Sequence, residues 1–188
     1  MASIDEALQT AVQHHRAGHL PEAEGLYRQI LEAEPSHVDA LHLLGLIAHQ
    51  VGKNDIAVAY ISRAIALNPR VVDFYGNLAS ALLALGQMAD AALCLAQVVE
   101  LDPNHAEALH QWGVLLLGEG LADEAEQRFR QVLMVRPTYA SAHNNLGVIQ
   151  MRRGDLAAAA AEFEQAILID PSLEDARRNL AGIEPRIK

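Results

Sequence analysis

The sequence predicts an all-α chain: five helix–turn–helix repeats stacked as a right-handed superhelical solenoid, closed by one further helix. Three observations predict it. Pro35, Pro69, Pro103, Pro137 and Pro171 recur every 34 residues. Gly18, Gly52, Gly86, Gly120 and Gly154 keep the same period, as do Ala23, Ala57, Ala91, Ala125 and Ala159. Ala and Leu dominate while aromatic residues make up only 4% of the chain, which favours helix over strand. A period of this length held in several columns at once marks a repeat architecture, in which each unit buries its apolar face only against its neighbours.

Setting the proline at position 32 of the unit gives repeats at 4–37, 38–71, 72–105, 106–139 and 140–173, with a partial unit from 174. In each repeat, helix A is expected over about positions 1–14, ending at a glycine that can take the left-handed conformation without a Cβ penalty. Helix B is expected to stop before the proline, which biases its predecessor away from helical dihedrals. Ser3-Ile4-Asp5-Glu6 has the form of a capping box opening the first helix. Repeat one departs most, with Ala7, Thr10 and His14 where larger apolar groups recur elsewhere, so its helix A is expected to be a frayed or capping element. Residues 174–183 are expected to form a capping helix with Ala176, Leu180 and Ile183 facing repeat five and Glu174, Arg177 and Arg178 in water. The chain 1–188 is expected to make a single domain.

Within the unit, size alternates where two helices must meet. Position 8 is small throughout (Ala11, Gly45, Ala79, Gly113, Gly147), and position 20 is always Ala. Position 7 (Thr10, Leu44, Leu78, Trp112, Leu146) and position 24 (Tyr27, Ile61, Leu95, Phe129, Phe163) carry bulk in most repeats, so large side chains of one helix meet small ones of its partner. These columns resemble the bacterial type of the tetratricopeptide repeat over residues 4–173: bulky at 4 and 7, small at 8, Ala at 20, bulky at 24, Pro at 32. The run Asn144-Asn145-Leu146-Gly147, echoed by Asn77-Leu78, is also similar to repeats attached to glycosyltransferases of the O-linked N-acetylglucosamine transferase type. The first resemblance implies a scaffold that binds a protein or peptide in a concave groove lined by the A helices. The second implies an alternative, a targeting or substrate-recognition arm of a larger enzyme.

Composition narrows the function classes. A formal charge of −10 argues against nucleic acid, whose phosphates are bound by clustered Lys and Arg. No apolar run is long enough to span a bilayer and no apolar leader opens the chain, so a cytoplasmic protein without membrane insertion is expected. The one cysteine, Cys94, lies in an Ala/Leu stretch and reads as a packed hydrophobe. No phosphate-cradling loop, nucleophile elbow or paired-carboxylate motif is present, and the glycines are explained by turns, so no enzyme activity and no cofactor are expected.

The groove residues follow from helical geometry. At about 100° per residue, helix A positions 3, 4, 7, 8, 10 and 11 cluster on the buried side and leave 2, 5, 9, 12 and 13 facing the groove, with 6 at its edge. Position 9 supplies Val12, Leu46, Ser80, Val114 and Val148, and position 12 supplies His15, His49, Leu83, Leu117 and Met151. These aliphatics either touch the core or form a binding surface, and their contiguity across repeats favours the surface. Asn77, Gln111, Asn144 and Asn145 flank them with amides suited to a peptide backbone. His42, His49 and His110 add polar groups whose protonation makes binding sensitive to pH near 6 to 7. His42 and His49 are seven residues apart and no tight chelating motif is present, so no metal site is expected. Position 2 is acidic in most repeats (Asp5, Asp39, Asp73, Glu107, Asp175); carboxylates there complement the helix dipole, and recognition of basic partner residues is the alternative. The Gln column on helix B (Gln29, Gln97, Gln131, Gln165) is expected at solvent or at the joint between repeats. Self-association through the groove or the open ends is a further expectation.

Overall fold

The structure is a computed structural model that describes residues 3–187. Among them are eleven α-helices and no strand. The chain forms two compact units, Met1–Leu101 and Asp102–Lys188. The first holds α1 (Ile4–Arg16), α2 (Leu20–Ala33), α3 (Val38–Gln50), α4 (Asn54–Leu67), α5 (Val72–Ala84) and α6 (Met88–Leu101). The second holds α7 (Ala106–Gly118), α8 (Ala122–Val135), α9 (Ala140–Arg153), α10 (Leu156–Ile169) and α11 (Glu174–Ile187). Odd-numbered helices are the A helices and even-numbered ones the B helices.

Each A helix ends where the glycine column predicts. Gly18, Gly52, Gly86, Gly120 and Gly154 all sit at φ between 73 and 85°, a region that a Cβ disfavours. The turn closes with two backbone bonds: after α1, Gly18 N–H donates to His15 O at 3.0 Å and His19 N–H to His14 O at 2.9 Å. The first helix is regular rather than frayed, because both bonds of its capping box are made. Glu6 N–H donates to Ser3 Oγ at 3.2 Å, and Ser3 N–H donates to Glu6 Oε2 at 2.8 Å.

The packing core of each hairpin is the contact of position 8 with position 24. All five residues of the small column are buried, and Tyr27, Ile61, Leu95, Phe129 and Phe163 opposite them are 0–1% exposed. A Cβ built on Gly147 lies 2.5 Å from Phe163 Cε1, and one on Gly113 lies 2.7 Å from Phe129 Cε1. Unit two therefore pairs glycine with phenylalanine, whereas in unit one Gly45 meets Ile61, a built Cβ lying 2.7 Å from its Cγ1, and Ala11 shares a buried cluster with Tyr27. Gly147→Val is expected to destabilise by about 1 to 3 kcal/mol through overpacking. Gly25, in the interior of α2 with nothing within 4 Å of an added Cβ, should behave oppositely. Gly25→Ala is expected to stabilise by about 0.5 to 1 kcal/mol, because it removes only backbone entropy. Urea titration of both variants checks the pair, and a stabilised Gly147→Val would remove the close-approach explanation.

In unit one, Ala11, Ala23, Tyr27, Ile30, Ala40, Leu44 and Ile47 form one buried cluster. In unit two, Ala159 and Phe163 join Ile183 of α11. That closing helix runs four residues past the expected end at 183. Ala176 and Ile183 are buried and Leu180 half-buried, whereas Glu174, Arg177 and Arg178 are exposed, as an amphipathic cap requires.

Candidate partner-binding groove

Successive A helices within each unit are tied together by side chains 35 residues apart. In unit one, Asn77 Nδ2 donates to His42 Nε2 at 2.8 Å. In unit two, Asn145 Nδ2 donates to His110 Nε2 at 3.1 Å, and Asn179 Nδ2 to Asn144 Oδ1 at 3.0 Å. These bonds join position 5 of one repeat to position 6 of the next. A related bond joins His15 Nε2 to Gln50 Oε1 at 3.1 Å, from position 12 to position 13. Five of the residues read from the sequence as partner contacts thus bind one another or Asn179, and each amide keeps further hydrogen-bonding capacity, since an amide carries two donors and two lone pairs.

Both position-5 histidines are held neutral. His42 lies against Phe74 with ring centroids 4.4 Å apart, and burial lowers its pKa against the opposing pull of Asp73 and Asp39. His110 lies between Tyr139, at 4.9 Å, and Phe129, at 5.7 Å, and burial lowers its pKa against Glu107. A neutral ring accepting at Nε2 carries its proton on Nδ1. With a folded pKa below the unfolded value, the unfolded chain takes up protons first as pH falls, so this contribution to stability is lost below the ordinary histidine pKa of 6.5. His42→Gln with His110→Gln keeps an acceptor but removes the titration. The variant is expected to lose less thermal stability than the parent between pH 7 and pH 5, and parallel Tm curves for the two would refute this.

The remaining residues, His49 apart, fall into three groups. Leu46, Ser80, Leu83 and Leu117 are half-buried, and the Ser80 hydroxyl donates back to Gly76 O at 3.0 Å. Val114, at 44% exposure, and Gln111 are open to solvent. Val148 and Met151 are half-buried but pack on the cluster of Ala159, Phe163 and Ile183, as Val12 packs on the cluster around Tyr27. These last three reach the core, so a polar replacement there disturbs folding as well as the surface. His49 Nδ1 lies 2.6 Å from Asn54 Oδ1, which ties α3 to α4. The glutamines of the helix B column are all exposed.

Asn179 and Tyr139 were not picked out from the sequence. Asn179 had a signal, since it follows Asn144 by 35 residues and extends the column of Asn77 and Asn145. Tyr139 precedes α9, and nothing local to it marks its stacking on His110. Among the described residues, no group of three or more His, Cys, Asp or Glu is arranged to hold a metal ion, and no helix is long and apolar enough to cross a membrane. Cys94 is half-buried, and burial pushes its thiol pKa up to about 11, so it is protonated at neutral pH.

Helical hairpins of fixed length, glycine-broken and stacked through small-to-large contacts, define a helical-repeat scaffold. The tetratricopeptide repeat family model matches residues 8–52, 48–106 and 110–179, and the chain belongs to that family. Tetratricopeptide repeat protein 7B of Homo sapiens is 31% identical over 85 residues, which is 45% of this chain and 10% of that protein. Its Mus musculus counterpart is 31% identical over 76 residues, 40% of this chain and 9% of that protein. The chain thus spans about a tenth of the length of the curated relatives it matches. Among solved structures, YrrB, described as a TPR protein with an unusual peptide-binding site, superposes with a TM-score of 0.85 at 26% identity, covering 94% of this chain and 91% of that one. MamA from Desulfovibrio magneticus RS-1 superposes with a TM-score of 0.80 at 20% identity, covering 90% and 96%, and shares the fold.

Proposed function

We propose that this protein is a non-enzymatic scaffold whose A-helix faces bind an extended or helical segment of another protein. The observation that carries this reading is the recurrence, within each unit, of half-buried or exposed aliphatic side chains at positions 9 and 12 beside amides with unused hydrogen-bonding capacity. Leu46 and Leu83 supply the apolar contacts in unit one, and Val114 and Leu117 in unit two. Aliphatic pockets select a few side chains, while Asn77, Gln111, Asn144 and Asn145 serve backbone donors and acceptors of varied sequence. YrrB, described by a peptide-binding site and 26% identical over most of this chain, supports a peptide as the class of ligand. Because inter-repeat bonds fix the histidines and asparagines beforehand, little side-chain entropy is lost on binding. The acidic charge speaks against nucleic acid as the partner.

Val114→Asp with Leu117→Asp is expected to weaken a partner recovered by pull-down at least about tenfold while helicity and Tm stay close to those of the parent. Leu78→Ala, in a buried position, should instead lower stability by about 2 to 5 kcal/mol. Full affinity in the double variant, or its unfolding like a core mutant, would remove the groove reading. Self-association is a second reading, favoured by Met134 and Leu168, which are 83% and 74% exposed. Light-scattering mass over a concentration series tests it.

A further inference from the structure

We infer that the groove face of unit one receives a basic segment, with Lys or Arg side chains at the carboxylates of Asp39 and Asp73 and aliphatic ones against Leu46 and Leu83. This rests on the groove reading above and adds the charge of the partner. The groove itself is the half-buried face that α3 and α5 share, on which Leu46, Ser80 and Leu83 lie beside the His42–Asn77 pair. Neither α3 nor α5 contains a Lys or Arg. The occupant's charge follows from how the chain treats its own acidic column.

Asp5, Asp39 and Asp73 hold the second position of α1, α3 and α5, where helix capping would be the ordinary explanation. None of the three makes a cap hydrogen bond. Ser3 and Glu6 cap α1, His37 Nδ1 accepts from Ala40 N–H at 3.3 Å at the start of α3, and α5 has no side-chain cap bond. All three aspartates are exposed, and none is in an ion pair among the described residues. In unit two the same column is answered from within the chain: Arg136 lies 3.5 Å from Glu107, Arg178 lies 3.3 Å from Asp175, and the position between them is the neutral Ser141. Unit one leaves its carboxylates without such cations.

Asp39 stands three residues before His42 on α3 and Asp73 four residues before Asn77 on α5, so the two carboxylates flank the His42–Asn77 bond, one helical turn towards the N-terminus on each helix. The His42 ring is half-buried, lies against Phe74 and is tied to Asn77 in its neutral form, so it does not neutralise them. Beside them Gly76 adds no side chain, and a Cβ built there meets nothing within 4 Å. The surface between Asp73 and Ser80 is therefore open to a long cationic side chain, whose bonds to carboxylates are stronger than neutral ones. The apolar residues set the position of the segment along the groove, and the carboxylates select its charge.

Three fluorescein-labelled nine-residue peptides test this by anisotropy: alternating Lys and Leu, alternating Gln and Leu, and alternating Glu and Leu. The Lys peptide is expected to bind at least about tenfold tighter than the Gln peptide, with the Glu peptide weakest, and the preference should shrink in 0.5 M NaCl. Asp39→Asn with Asp73→Asn should cut affinity for the Lys peptide about fivefold or more, while Glu107→Gln with Asp175→Asn leaves it unchanged. Leu46→Ser with Leu83→Ser should weaken the Lys and Gln peptides alike. Equal binding of the Lys and Gln peptides overturns the inference but leaves groove binding standing. A preference that survives Asp39→Asn with Asp73→Asn, or a Lys affinity untouched by the leucine changes, overturns it as well. Failure of all three peptides to bind removes both readings. If the asparagine variant does not fold by circular dichroism, the peptide series on the unaltered protein decides alone.

Discussion

Phe163→Ala is expected to lower stability by about 3 to 5 kcal/mol, one of the largest single-residue effects in the chain. The ring is 0% exposed and fills the space above Gly147, whose backbone comes so close that even a Cβ would lie 2.5 Å from Cε1. It also supports Ile183 of the closing helix, so its loss opens a cavity between α9, α10 and α11 rather than at one contact. Rigid helices on both sides limit collapse into that space, which keeps the cavity term large. A double-mutant cycle identifies the cause. Gly147→Ala in the Phe163→Leu background should cost less than in the parent, because the clash is with the ring. Urea unfolding of the four proteins gives the coupling, and strictly additive changes would show that the two residues do not meet.

Removal of everything after Pro171 is expected to have an effect of similar size and a different signature. Ala176, Leu180 and Ile183 cover the apolar flank formed by Ala159 and Phe163, with Val148 and Met151 at its border. Uncovering the Leu180 and Ile183 contacts corresponds to about 3 to 6 kcal/mol of lost burial. The truncated chain should melt lower and, because the exposed flank is apolar, self-associate as its concentration rises. Light-scattering mass and Tm, measured together over a concentration series, check both consequences. A truncated chain that stays monomeric with the parental Tm would mean that the fifth repeat closes the array unaided.

Much of this was legible in the residue columns. The five glycines at positive φ, the prolines after each B helix and the Ser3–Glu6 box were placed from local chemistry alone. Position 8 against position 24 was also legible, since a small column facing a bulky one has a single packing solution. The groove was legible only in outline. Geometry at 100° per residue assigned Val148 and Met151 to the open face, but both pack on the cluster of Ala159, Phe163 and Ile183, as Val12 packs on the cluster around Tyr27. The acidic column, broken in sequence only at Ser141, proves to be divided, with Arg136 and Arg178 answering it in unit two alone.

By itself the sequence determined where the helices of the five repeats break and that small residues line the hairpin seams. Those features depend on a residue's own backbone preferences and on neighbours three or four positions away, and a 34-residue repeat states them five times. The tertiary structure alone decided which polar groups of the groove are committed to each other. His42 with Asn77 and His110 with Asn145 are 35 residues apart, and nothing near either partner specifies the bond. It also decided which aspartates remain without a cation. Hydrogen bonds and ion pairs need contact within a few ångströms, and for side chains on successive repeats that distance is set by how neighbouring helices pack, not by the local pattern of either helix.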